Sequence, residues 1–279
     1  DTALATITVT GSARTSKPVS SSSPADSNPS KCLPFPQNLK LNPRFPLPPP
    51  EPGSRVFHTP ENACTYSTGF TNERKLDGAA LVGPGLADLL FGQTTYTNFT
   101  GLTYIQVREP GQLQYHGLAE LPPARATLLG FGFMPVSATL QVAEIGTVSA
   151  DFITCIPGHK PCPNSPANFA LFYARVSLTV SDVDVNGVPL NVGPHCQTPP
   201  FNLELEGLPP SYNVASQYGV LTGTVTVPSF TGCGVGENLD SIFTASVSGP
   251  GNYVKVNQAP FCTPVDGGGC PPVKPPPKH

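Results

Sequence analysis

The chain has 279 residues, of which 12% are charged; it holds 36 prolines, 27 glycines, 8 cysteines and no tryptophan. Its net charge is -3 with Lys and Arg scattered, so the basic stripe of a nucleic-acid binder is missing. Sparse charge with frequent Pro and Gly excludes an ordinary helical bundle and favours short strands joined by turns, and no apolar run nears the roughly 18 residues of a membrane helix.

In chain order, residues 1–12 read as a strand, because polar and apolar side chains alternate and put Leu4, Ile7 and Val9 on one face. A lone strand is unstable in water, so these three are expected to enter a sheet. Residues 13–55 are a Ser/Pro-rich linker that cannot order itself by burying apolar surface. A strand on such a tether fits donor-strand addition to a neighbouring copy, repeated head to tail as a homo-oligomer. Residues 56–262 form the body, a succession of β-branched and aromatic alternations between turn signals, such as "TTYTNFTGLTYIQV" and "NFALFYARVSLTV". The fold class expected is all-β: a disulfide-stapled antiparallel β-sandwich, Ig-like or jelly-roll-like, with one short helix near 239–247. A division into two sub-domains near 156–168 is an alternative. "GPGLADLLFG" reads as a turn or so of helix. The helix near 239–247 is better marked, with Asn238 to cap it and Gly249-Pro250 to stop it. Residues 263–279 are a Gly/Pro-rich tail.

The cysteines are Cys32, Cys64, Cys155, Cys162, Cys196, Cys233, Cys262 and Cys270. An even number without CxxC spacing favours disulfides over zinc. Cys155 with Cys162 is expected to close a small ring around "IPGHKP", and Cys233 with Cys262 is favoured as a second pair. Asp stands at position 1 and the sole methionine is Met134, which points to a removed secretory signal and an extracellular or cell-surface protein.

Among motifs, "DVDVNG" places Asp182, Asp184, Asn186 and Gly187 like the first half of a calcium loop, but Gly193 stands where the closing carboxylate belongs. Asn186-Gly187 is better read as a type I′ hairpin turn, and no metal is expected. His58, His116, His159, His195 and His279 have no metal-ligand spacing, and no GxSxG elbow is present. Glu109, Glu120, Glu144 and Asp151 are the carboxylates from which a glycosidase-type pair would have to be drawn. Asn98-Phe99-Thr100 is a glycosylation sequon. Tyr96, Tyr104, Tyr115, Phe131 and Phe133 are candidates for a sugar or lipid site, weighed against their use as core.

"LLGFGFMPVSATLQV", "DVDVNGVPLNVGPHC", "GVLTGTVTVPSFTGCGVGENLD" and "SVSGPGNYVKVNQAPFC" resemble a family of secreted β-rich proteins of actinobacteria, over residues ~125–262. The resemblance implies export, a Gram-positive envelope and a β fold; the family lends no catalytic or ligand residue. Three functions are carried from this point. The first is a secreted structural subunit of a filament or surface assembly, joined by its N-terminal strand. The alternative is a module that binds envelope glycan or lipid, and a secreted hydrolase comes third. No cofactor is expected. An unfilled sheet groove would favour the first, a closed apolar cavity the second, and paired carboxylates in a deep pocket the third.

Overall fold

The structure, a computed structural model, describes residues 55–75, 78–99, 102–130, 133–156 and 168–262, without the side chains of 55–62, 73, 91–99, 102–106, 108, 155 and 156. The expected donor strand of Leu4, Ile7 and Val9 lies outside the described residues, as do Cys32, Cys162 and Cys270 and hence the pair Cys155–Cys162. The elements are β1 (Arg55–Glu73), β2 (Gly78–Phe99), β3 (Leu102–Gln114), β4 (Ala124–Gly130), β5 (Met134–Glu144), β6 (Val148–Ile156), β7 (Asn168–Val185), β8 (Val188–Leu190), β9 (Phe201–Gly207), β10 (Tyr212–Asn213), β11 (Tyr218–Val227), α1 (Asp240–Val247) and β12 (Gly249–Gln258). The chain is an all-β, antiparallel, sandwich-like fold with one short helix.

The sheet closes on itself. From β1 it runs through β12, β11, β9, β7, β5 and β4 to β2, and β2 pairs again with β1. Between the long strands β7 and β2 the wall has two levels, β5–β4 at one and β6–β3 at the other. The step between them is bridged by the segment after β3, where Leu121 N–H donates to Val142 and Glu144 N–H to Ala119. β6 and β7, on either side of residues 157–167, are hydrogen-bonded neighbours in this same sheet.

Alternation decides what faces inward. In β7 Ala170, Ala174, Val176, Leu178 and Val180 enter the main core, and after Asp182 the phase changes so that Val183 enters it. A β-bulge causes the change: Asp182 has φ 48°, opposite a register shift between Ser137 and Thr139. The hairpin that follows turns on Asn186 and Gly187, both at positive φ, with Val185 opposite Val188. Asp184 Oδ1 accepts the Gly187 N–H at 2.6 Å, which commits that carboxylate to the turn.

Two expectations are corrected. "GPGLADLLFG" is not helical; it is the middle of β2, with Ala87 and Leu89 packed inside the closed sheet and Leu86 in a second cluster with Cys64 and Tyr66 on the opposite face. A strand buried on both faces reads as a continuous apolar run, which sequence alone confuses with a helix. Cys233 is bonded to Cys196, with Cα atoms 4.1 Å apart, and not to Cys262. Mutual backbone hydrogen bonds between Gln197 and Thr231 bring these two loops together, while Cys262 sits beside Cys64 on another strand pair. Cys64 and Cys262 each take part in a disulfide, and their Sγ atoms are 3.5 Å apart.

Helix α1 lies across one end of the closed sheet. Asn238 Oδ1 accepts the Asp240 N–H, and Asp240 Oδ1 accepts the Cys233 N–H at 2.7 Å. Phe243 and Val247 pack on the main core, with the Phe230 ring 6.0 Å from that of Phe243.

Candidate functional site

Small side chains line much of the interior. Ala80, Ala87, Ala124, Ala126, Ala138, Ala150, Ala170 and Ala174 are all buried members of the main core. Protein interiors usually pack with few voids larger than a water molecule. Here three apolar cavities follow one another inside the sheet. One of about 110 Å³ lies beneath α1 against Phe243 and Val247. The next, of about 90 Å³, shares Leu140 with it. The third, also about 90 Å³, shares Val82, Leu121, Leu203 and Val254 with the second. Each is smaller than the engineered apolar cavity of about 150 Å³ that stays dry and binds benzene, but the three adjoin one another.

Polar groups gather at the end away from α1. Gln258 lines the third cavity; its Oε1 accepts the Tyr212 O–H at 3.0 Å and its Nε2 donates to the Gln217 carbonyl at 2.9 Å. Tyr212 also stacks near Phe152, at 6.4 Å between ring centroids. Glu109 is fully buried on the inner face of β3, directly opposite Ala150, another residue that lines the cavity. Among the described residues, neither of its carboxylate oxygens has a hydrogen-bond partner. Burial first, then the nearby Asp151 carboxylate, push Glu109 well above the usual carboxylate range. The Gln217 side chain offsets part of this without reaching hydrogen-bond geometry. Tyr212 is raised by burial and by Glu109, which places that carboxyl close to the phenol.

The sequence-derived carboxylates do not converge. Asp151 is opposite Arg108 in register, one residue along from the Glu109–Ala150 pair, so Asp151 and Glu109 point to opposite faces of the wall. Glu144 ends β5, where its Oε2 accepts the Leu113 N–H at 2.5 Å; burial raises it to about 7. Glu120 is half-buried in the segment after β3. Asp88, which sequence reasoning missed, is buried on the outer face of β2 and raised to about 7 by that burial. Its only sequence signal is a lone charge in the apolar run "LADLLF".

Of the candidate aromatics, Phe133 is exposed in the turn between β4 and β5, and Tyr115 packs edge-on against His116. Phe131 and the side chains of Tyr96, Tyr104 and Asn98 lie outside the described residues. His195 is exposed beside Cys196. An open polar cleft of about 560 Å³ includes Arg125, Asp182, Asp184 and Asn191, with Asp182 accepting from Ser181 and Asp184 from Gly187. Among the described residues no three His, Cys, Asp or Glu side chains are grouped to hold a metal ion.

A donor strand needs a free edge to join. Every described strand of seven residues or more has neighbours on both edges over part of its length, but β1 meets β12 only from Ser67 to Thr71, with a bridge at Cys64–Cys262, so its residues 55–62 pair with β2 alone. β8 and β10, of 3 and 2 residues, also pair on one side. The weakest seam is β9–β11, paired at Thr222–Glu206 alone. Even there the backbones touch, since a Cβ on Gly223 would lie 2.1 Å from the Glu204 carbonyl oxygen. No family model, no curated protein and no solved structure matches the chain.

Proposed function

We propose that the chain is a binding module that holds one apolar small molecule, of the lipid class, inside its closed sheet. The observation that carries this reading is the row of three neighbouring apolar cavities beneath alanine-lined walls. An eight-stranded closed sheet has an interior just wide enough to be filled by side chains or to hold one small ligand. Small residues at facing positions favour the second use. The Cys196–Cys233 disulfide supports a setting outside the cytoplasm, in an oxidising compartment. No helix among the described residues is long and apolar enough to cross a membrane. Head-to-tail assembly through Leu4, Ile7 and Val9 needs an acceptor edge, for which the described strands offer only residues 55–62 of β1, while the cavities lie within the core itself, so the binding reading is preferred to it. Carboxylates on opposite faces of a wall give the hydrolase reading no support.

Titration with the neutral fluorophore N-phenylnaphthylamine tests this reading. Saturable one-to-one binding with a blue shift is expected, together with at least about a tenfold loss in Ala170→Phe, which fills the third cavity. The variant should still melt cooperatively. Absent binding, or equal affinity in a folded Ala170→Phe, would contradict the reading.

A further inference from the structure

Resting on the binding reading above, we infer that the bound molecule ends in a neutral head that both donates and accepts hydrogen bonds, as a long-chain alcohol does, and that Glu109 recognises it. Three buried polar side chains gather by the third cavity: Gln258 lines it, Tyr212 is hydrogen-bonded to Gln258, and Glu109 stands in register with the lining residue Ala150. The hydrogen-bond inventory leaves capacity there. Tyr212 donates to Gln258, and Gln258 donates to the Gln217 carbonyl, which leaves one amide hydrogen and the phenol lone pairs unused. Glu109 makes no hydrogen bond among the described residues, the Gln217 side chain standing near it outside hydrogen-bond geometry, although buried side-chain polar atoms are as a rule hydrogen-bonded. Leaving such a group unpaired in an apolar interior is costly, and a ligand head is the missing partner that the cavity next to it can deliver.

The sign of the charge narrows the head further. Its burial and the neighbouring Asp151 carboxylate favour the protonated carboxyl. A protonated carboxyl presents one O–H donor and one carbonyl acceptor, the complement of a hydroxyl. Among the described side chains, Asp151 and Tyr212 are the titratable groups that act on it, and neither supplies a positive charge. A carboxylate head would find no described cation there, and a hydrocarbon head would leave Glu109 without a described hydrogen-bond partner.

The test is displacement of N-phenylnaphthylamine by decanol, chlorodecane and decylamine from the intact chain. Wild type should prefer decanol to chlorodecane by about tenfold, the worth of one good neutral hydrogen bond. Glu109→Leu should abolish that preference, while Glu109→Gln should keep most of it. An unchanged preference in Glu109→Leu would overturn the inference, and so would tighter binding of decylamine, which would make the site one for cations. Failure of wild type to bind the fluorophore sinks the cavity reading itself; fluorophore binding without a head preference sinks only this inference. Should Glu109→Leu not fold, infrared spectra decide: a protonated-carboxyl C=O band, missing in Glu109→Gln, should shift with decanol and not with chlorodecane. A band unmoved by decanol would contradict recognition by Glu109.

Discussion

Replacing Cys196 and Cys233 together by alanine is expected to lower the free energy of unfolding by about 4 kcal/mol, the chain-entropy value for a loop of this length. The bond closes a separation of 37 residues between two buried cysteines. It also fastens the loop after β8 to the turn that leads into α1, where Leu239 N–H donates to the Cys233 carbonyl. Helix α1 has only 8 residues and none of them is fully buried, so it has little stability of its own. Its place over the cavity mouth depends on this anchor. Urea denaturation should therefore show the large loss, and amide exchange should speed up most in α1. A loss below about 1 kcal/mol, well short of what a native disulfide usually contributes, would show that the bond is incidental.

Acid should stabilise this protein. A carboxyl raised in the folded state binds its proton more tightly when folded than when unfolded, so the stability it contributes is greatest below the unfolded value and is lost as pH rises towards the folded one. Asp88 and Glu144 both rise to about 7, chiefly through burial, which puts the fall between about pH 4 and about pH 7. Glu109, raised still further in direction, extends the fall above that window. The combined loss from about pH 5 to about pH 8 is on the order of several kcal/mol, or a fall in Tm on the order of 10 °C. Asp88→Asn and Glu144→Gln should each flatten the profile. A Tm that climbs from acid to neutral pH would mean that these groups are solvated or paired with cations.

Local devices were legible in the sequence and long-range ones were not. Asn186-Gly187 specifies its hairpin because few residues besides Asn and Gly accept two successive positive φ angles. The helix near 239–247 was readable from its stop at Gly249-Pro250, although the N-cap is Leu239 and the expected cap Asn238 stands one residue before it, accepting the Asp240 N–H. Closure of the sheet was not, because β1 pairs with β12 across nearly the whole body, as in Ser67 opposite Gln258, and period-2 alternation does not name a partner. "TTYTNFTGLTYIQV" looks like one strand but spans two, since Phe99 and Leu102 face each other in register. The site was less legible than the fold. Glu109 precedes Pro110-Gly111, which reads as a turn yet lies inside β3. Tyr212 sits in "PPSYNVAS", which reads as a loop. An alanine at an inward position carries no sequence mark of the space it leaves empty.

Methyl-detected NMR during titration with decanol tests the central claim most directly, because it reports where the ligand sits. Leu89, Leu203, Leu221, Val254 and Val256, which line the third cavity, should shift in a saturable, one-to-one manner, while methyls of exposed residues such as Val188 and Val235 stay still. Shifts confined to exposed side chains, or none at concentrations that saturate the fluorescence signal, would contradict an apolar ligand held inside the closed sheet.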